Sequence, residues 1–230
     1  KMSRLTFILG LIKTIKSLPK ANIQMDISTE EGLRMYKYYT KPHPKVFLVK
    51  NKTLGVALIK LNEFKNFEQY VATVSGKNSA AYYSRRCEGK GYQFKSIDPD
   101  TYALEIDAIH KSSNERQGKQ LSATYLKPIL KYPKNEQNRY YGIFSDNKLV
   151  AYLWTVQSGE LMTLNRLMGH NEYLKDGIMY LLVLKAIDAM MLSEAKPSYV
   201  MYDTMLGASE GLLLFKKRLG FQPNKVNWKK

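Results

Sequence analysis

The sequence predicts a mixed α/β fold in which a central sheet is flanked by helices. Two observations favour this class. Short runs of β-branched and aromatic residues alternate with helical patterns along the C-terminal two thirds of the chain. The predicted order β-α-α-β-β-β-α-β-α-β also passes from antiparallel hairpins to strands linked through a helix, which is how parallel strands are connected.

The first 75 residues carry the least regular pattern. Apolar residues recur at helical spacing along residues 3–20, and lysines occupy the other face. The apolar block is too short to span a bilayer, and no small-residue cleavage site follows it. We expect a helix that packs on the domain; the alternative is a peripheral contact with the membrane through residues 3–20. Residues 45–61 alternate apolar and polar side chains around Asn51-Lys52, which predicts a β-hairpin.

Residues 76–230 predict a regular succession of elements. A helix that carries Arg85 and Arg86 comes first, with Ser75 or Asn78 as its N-cap. The elements that follow are a strand at 93–97, helices at 98–110 and 120–131, a hairpin of strands 140–144 and 149–156, a strand at 161–167, an apolar helix at 178–192, a strand at 199–203, a helix at 210–218 and a final short strand. We therefore divide the chain into an N-terminal region, 1–75, and a main domain, 76–230.

The charge is strongly basic and unevenly distributed. The formal net charge is +16, and residues 1–97 hold 18 Lys and Arg against 6 Asp and Glu. This asymmetry favours an anionic partner such as nucleic acid, a phospholipid surface or a phosphorylated substrate, and a solvated lysine-rich surface is the alternative. The single Cys87 excludes a disulfide framework and suits a reducing, cytoplasmic compartment. The three histidines lie far apart in sequence, so we expect no metal site.

Three segments together resemble the GNAT acyltransferase superfamily, and within it the Fem-type aminoacyltransferases and their single-domain relatives. The segments are SRRCEGKGY, GHNEYLKDGIMYLLVLKAIDAM and YVMYDTMLGASEGLLLFKKRLGF. The resemblance covers roughly residues 76–225. It implies a V-shaped opening between two parallel strands, 161–167 and 199–203, in which an acyl donor lies.

The donor implied by the resemblance is acetyl-CoA or another acyl-CoA. The superfamily's pyrophosphate motif, Arg/Gln-x-x-Gly-x-Gly/Ala, is matched in part by Arg166-Leu-Met-Gly169-His170-Asn171, in which the last small residue is missing. A helix N-terminus that follows such a loop offers free N–H groups to phosphate. The predicted donor-binding residues are Leu164, Arg166, Leu167, Gly169, His170, Asn171 and Lys216. The departure from the motif keeps two alternatives open: aminoacyl-tRNA as donor, and a relative that binds or modifies other nucleic acid.

The candidate catalytic residues follow from the chemistry of amide formation. An ammonium group cannot attack a carbonyl, so a base must first remove a proton. Asp203 is the first candidate because its strand ends at the presumed cleft, although it could instead cap the following turn. Glu115 is the reserve base. Tyr202 alternates with Asp203 and should face the other side, where it either packs in the core or protonates the departing thiolate.

The segment IDAIHKSSNERQGKQ runs from the end of the predicted helix at 98–110 into a polar loop. Its short and forked polar groups suit recognition of a polar or anionic substrate, and Arg116 could bind a carboxylate or phosphate bidentately. The predicted substrate-binding residues are Ser113, Asn114, Arg116 and Gln117. A solvated loop without a binding role is the alternative.

The sequence therefore predicts an N-acyltransferase that moves an acetyl or other acyl group from acyl-CoA to a primary amine. The acceptor would be a small molecule, an amino sugar or a cell-envelope precursor, and the protein would be cytoplasmic or peripheral to the inner face of the membrane. Direct transfer needs proximity, a base and a stabilising N–H group, which explains why no catalytic triad stands out. The acceptor and the oligomeric state stay open.

Overall fold

The computed structural model describes residues 17–44, 46–113, 115–116, 119–120 and 131–230, with side chains except at 46–49, 115–116 and 119–120. Twelve strands are found in these ranges. They are β1 (Lys20–Gln24), β2 (Pro42–His43), β3 (Val46–Lys50), β4 (Val56–Lys60), β5 (Gln93–Ser96), β6 (Glu115–Arg116), β7 (Lys119–Gln120), β8 (Asn138–Ser145), β9 (Lys148–Ser158), β10 (Leu161–Gly169), β11 (Tyr199–Thr204) and β12 (Gln222–Lys229).

Six α-helices cover the sheet in the same part of the chain. They are α1 (Glu30–Thr40), α2 (Phe67–Thr73), α3 (Ala80–Glu88), α4 (Ala103–Lys111), α5 (Ile178–Leu192) and α6 (Glu210–Arg218). Single 3₁₀ segments at Leu61–Glu63 and Asn171–Asp176 follow β4 and β10. The bounds of α5 and α6 agree with the sequence prediction.

Eight strands form one mixed sheet in the order β1-β12-β4-β11-β10-β9-β8-β5. The pairs β1/β12 and β10/β11 are parallel, and the other neighbours are antiparallel. The apolar helix α5 packs on one face, where its side chains at Leu181, Leu182 and Ile187 are fully buried. The predicted fold class, a mixed sheet flanked by helices with two parallel central strands, is confirmed.

The predicted hairpin at 45–61 is wrong. β3 pairs with β2, and β4 instead lies between β11 and β12 in the large sheet. Its residues Val56 to Ile59 are all buried, because a strand inside a sheet with both faces covered buries successive side chains rather than every second one. β1 and β4 thus bring the first 75 residues into the same sheet as the rest, and the division at residue 75 stays a prediction.

Two helix starts also differ from the prediction. α3 is capped by Ser79, whose hydroxyl accepts a hydrogen bond from Tyr82 N, and not by Ser75 or Asn78. α4 begins at Ala103, because residues 98–102 form turns. None of the described helices is both long and apolar enough to cross a membrane. The helix predicted in residues 3–20 and the one predicted at 120–131 fall largely outside the described residues.

Candidate functional site

β10 and β11 separate after three residue pairs. Leu161 lies opposite Tyr199 and Thr163 opposite Met201, and beyond these pairs the two parallel strands share no further pairing although both continue. The facing edges of both strands are therefore free of a strand partner at their carboxyl ends. Backbone groups on such an edge are available to a ligand.

A bulge in each strand accompanies this separation. The register of β10 with β9 shifts between Leu164 and Arg166, and that of β11 with β4 shifts between Met201 and Thr204. An extra residue in one strand bends it and increases its twist. In β11 the bulge contains Asp203, whose φ of +55° lies in the left-handed region that aspartate tolerates better than most residues.

A cavity of about 300 Å³ lies where the strands diverge. Its walls come from the end of β10, the end of α4, the 3₁₀ segment Asn171–Asp176, α5, β11 and α6. The lining residues are Ile109, Ser112, Ser113, Leu167, Met168, Gly169, Asn171, Leu174, Met179, Tyr202, Gly211, Leu212 and Phe215. The wall is mostly apolar with a few polar groups, which is typical of a small-molecule site.

Hydrogen bonds join two of these walls. Asn171 N donates to Ser112 Oγ over 3.0 Å, and Ser112 Oγ donates to Ile109 O over 2.8 Å. The end of α4 is thereby held against the segment that follows β10. This connection positions Ser113, a predicted substrate-binding residue, at the cavity wall.

Gly169 allows α5 to approach the end of β10. A Cβ atom at this position would lie 2.6 Å from Met179 Sδ and 3.0 Å from Leu174 Cδ2. Both neighbours line the cavity. A larger residue here would therefore displace side chains that shape the cavity.

Tyr202 is held between aromatic side chains and a buried cation. Its ring centroid is 6.1 Å from that of Phe221 and 6.4 Å from that of Phe215, and Lys216 Nζ lies 4.8 Å from it. Tyr202 is half-buried and lines the cavity, whereas its neighbour Asp203 is exposed. The two neighbouring side chains therefore line different pockets.

Asp203 lies outside the large cavity. Its carboxylate forms an ion pair with Lys52 at the surface, and its side chain borders a second, smaller pocket. Thr204, Gly207, Ser209 and Lys216 line the same pocket, together with Leu206, Ala208 and Leu212. Asp203 therefore stands at the end of β11, next to the cavity but on the side away from Tyr202.

Lys216 is buried, with 1% of its surface exposed. Its Nζ donates to Thr204 O over 2.7 Å. Burial lowers the Lys216 pKa to about 8, although the nearby Asp203 carboxylate opposes this change. Lys216 is predicted from the sequence as a donor-binding residue; in the structure it is buried and lines the smaller pocket and not the donor cavity, while Lys217 is exposed.

Four predicted donor-binding residues do not line the cavity: Leu164, Arg166, His170 and Lys216. Arg166 lies beside Tyr152, where its charge opposes the rise in the Tyr152 pKa that burial produces. His170 packs against Tyr173, with ring centroids 5.5 Å apart. Leu164 is buried in the main core. By contrast, Leu167, Gly169 and Asn171 all reach the cavity.

The polar loop is described only in part. Ser113 is described, and Glu115 and Arg116 form the two-residue strand β6, which pairs with β7. Their side chains, and all of Asn114 and Gln117, lie outside the described residues. In the part of the chain that the structure describes, no cluster of three or more His, Cys, Asp or Glu could hold a metal ion.

Sequence reasoning missed most of the apolar cavity wall. Met168, Leu174, Met179, Leu212 and Phe215 line the cavity but are not among the predicted site residues. The sequence does hold one signal for Leu174, which follows the partial phosphate motif in a stretch too polar for a core helix. In the structure its side chain is 42% exposed. Gly211, in the first turn of α6, has open space around the position of a Cβ atom.

No protein-family model matches the sequence, and no curated protein matches it. Solved structures match the fold at low identity. One is FemX, with a TM-score of 0.55 and 10% identity over 74% of this chain and 59% of FemX. Another is the DUF2156 C-terminal domain of a candidate lysylphosphatidylglycerol synthetase from Agrobacterium fabrum, with a TM-score of 0.51 and 13% identity over 74% of this chain and 58% of that one. A conserved protein of unknown function from Bacteroides thetaiotaomicron also matches, with a TM-score of 0.52 and 14% identity over 73% of this chain and 56% of that one.

These likenesses establish the architecture. The matched region spans a little under 60% of each of the three structures. The chain shares its fold with these structures, and the fold is the GNAT-like one that the sequence resemblance implied. The two bulges and the diverging strands are the features of this fold that create the cavity.

Proposed function

We propose that the chain is an N-acyltransferase that moves an acyl group from acyl-CoA to a primary amine. The observation that carries this proposal is the cavity between β10 and β11. A narrow, largely apolar slot with a free strand edge suits an extended thioester arm, since apolar walls hold the chain and amide groups can bond its polar atoms.

The transfer needs few protein groups. The amine nitrogen attacks the thioester carbonyl, the C–N bond forms, the C–S bond breaks, and the thiolate accepts a proton. N–H groups on the unpaired edge of β10 would stabilise the negative charge that develops on the carbonyl oxygen. Holding both reactants in the slot supplies the proximity that direct transfer requires.

Two residues at the end of β11 would handle the protons. Tyr202 faces the cavity and would protonate the thiolate. Asp203 lies outside the cavity, in the pocket that Leu212 shares with it, so as base it would take the proton only through water from an amine that enters on that side. Glu115 is the reserve base. Of the other predicted residues, Leu167, Gly169 and Asn171 would contact the donor, and Ser113 the acceptor.

A specific observation favours the alternative donor, aminoacyl-tRNA. The N-terminus of α5, where the superfamily places the donor pyrophosphate, directly follows Asp176, and this carboxylate pairs with Lys90 and Tyr92. Hydrogen bonds from these two groups lower the Asp176 pKa, so the negative charge persists at neutral pH. Lys90, the cation beside this helix start, is thereby engaged with Asp176 and not free for a pyrophosphate. The basic N-terminal region suits a nucleic acid.

A coenzyme A titration separates the two donors. Saturating coenzyme A at about 100 times its dissociation constant should stabilise the protein by about 2.7 kcal/mol, which a thermal unfolding scan detects. Asp203→Asn should bind coenzyme A as the wild type does and turn over far more slowly. If coenzyme A does not stabilise the protein while tRNA binds with a steep dependence on salt, aminoacyl-tRNA replaces acyl-CoA as the proposed donor. Unchanged turnover of Asp203→Asn would remove Asp203 from the mechanism.

A further inference from the structure

The loop that joins β11 to α6 encloses a second pocket, of about 140 Å³, separate from the donor cavity. It is large enough for one carboxylate or phosphate group but not for a nucleotide. We propose that this pocket, formed by Lys216, Ser209 and the N-terminus of α6, is a binding subsite for an oxyanion. The following observations support it independently of the proposed acyl transfer.

The first observation is a buried cation with donors to spare. Lys216 is 1% exposed, and among the described residues its ammonium group has one hydrogen-bond acceptor, Thr204 O. An ammonium carries three donors, and a buried polar group left without partners is costly. The Tyr202 ring face near Nζ offsets part of this cost. An anion in the pocket would satisfy the remaining donors.

The second observation is an unpaired hydroxyl. Ser209 is the N-cap of α6, but its side chain makes no capping hydrogen bond to the helix. Its Oγ is buried and makes no hydrogen bond with any described residue. Because Ser209 lines the same pocket as Lys216, both groups can bind one ligand. The first amides of the nine-residue helix α6 lie beside Ser209, and such amides favour an anion.

The charges around the pocket leave a net positive site. Asp203 is the carboxylate that borders it, and Lys52 neutralises this carboxylate in an ion pair. Glu210, in the first turn of α6, is exposed and does not line the pocket. Among the described residues at the pocket, Lys216 therefore supplies one positive charge beyond the Asp203–Lys52 pair.

The position of the pocket suggests what delivers the oxyanion. Leu212 lines both the pocket and the donor cavity, and Lys216 contacts Tyr202, which also lines that cavity. If the proposed function holds, the anion belongs to one of the two substrates: a phosphate of the donor, or a carboxylate or phosphate of the acceptor. This assignment rests on the proposed function, whereas the subsite itself does not.

Binding of inorganic phosphate and of acetate tests the subsite directly. Each salt is titrated against the wild type, Lys216→Met and Ser209→Ala, with chloride at matched ionic strength as reference. Lys217→Met is the matched control, because Lys217 is the exposed neighbour on the same helix. We expect Lys216→Met to weaken the apparent affinity about tenfold or more and Ser209→Ala less, while Lys217→Met binds as the wild type does.

A second readout keeps the test independent of changes in stability. In protein labelled with ¹³C at lysine Cε, NMR should show the Lys216 resonance shifting on anion addition and its pKa rising, because a bound anion stabilises the ammonium form. Equal anion affinity in Lys216→Met and Lys217→Met, or no wild-type response to either anion beyond that of chloride, would overturn the subsite.

Competition identifies the source of the oxyanion. Coenzyme A should displace inorganic phosphate if the donor supplies the group, and both should bind together if the acceptor does. If the wild type binds phosphate but transfers no acyl group, the proposed function is rejected and the subsite stands. If it transfers the acyl group but shows no response to either anion, the subsite is rejected and the proposed function stands.

Discussion

Raising the pH should stabilise the wild-type protein relative to Lys216→Met. Burial lowers the Lys216 pKa from 10.5 to about 8 in the folded protein, whereas the unfolded chain keeps the ordinary value. Between these two values the unfolded state binds one proton more than the folded state, so the free energy of unfolding rises with pH. At about 1.36 kcal/mol for each pH unit, the full gain is about 3 kcal/mol.

Denaturant unfolding from pH 7 to pH 10.5, in buffers free of oxyanions, measures this gain. The free energy of unfolding of the wild type minus that of Lys216→Met should increase by about 3 kcal/mol across the range, mostly above pH 8. Other titrating groups are shared by the two proteins and largely cancel. Lys217→Met serves as control and should show no such trend. A difference that stays constant with pH would refute the buried position of Lys216.

Three further predictions test the walls of the cavity and the core. Gly169→Ala should weaken coenzyme A binding in calorimetry, because the new Cβ would meet Met179 Sδ and push it into the cavity. Gly89→Ala is the control, because a Cβ there meets nothing closer than 3.4 Å and Gly89 does not line the cavity, so binding should be unchanged. Tyr70→Phe should lower the free energy of unfolding by about 1 kcal/mol, since the buried hydroxyl donates to Leu219 O over 2.8 Å, and Tyr38→Phe at the surface should be neutral. Gly177→Ala should destabilise the protein by about 1 kcal/mol or more, because φ is +88° and the Cβ would crowd Tyr83; full stability of this variant would show that the backbone there adapts.

Local patterns predicted most of the elements around the site. The fifteen residues of α5 are almost continuously apolar, and the hairpin of β8 and β9 shows strand composition on both sides of a polar turn. The prediction that β10 and β11 are parallel neighbours rested on the resemblance and not on the residue pattern of either strand. Strand order depends on contacts between distant segments, which a single sequence does not display.

The features that the sequence did not predict depend on the register between strands and on the rotation of a helix about its axis. The bulge near Asn165 has no local signal, because a bulge exists only relative to the partner strand. The burial of Lys216 and the exposure of Lys217 follow from the rotation of α6 about its axis, and three adjacent cations do not reveal which of them faces inward. β4 was misassigned for a similar reason, since its partners β11 and β12 lie more than 130 residues along the chain.

Amide hydrogen exchange with and without the donor tests the central claim most directly. If an acyl donor lies between the diverging strands, saturation with coenzyme A or with an aminoacylated tRNA should slow exchange at residues 164–171 and 202–204, and leave the paired segment at 161–163 unchanged. Retardation confined to other surfaces, with residues 164–171 exchanging as in the free protein under both donors, would contradict the account.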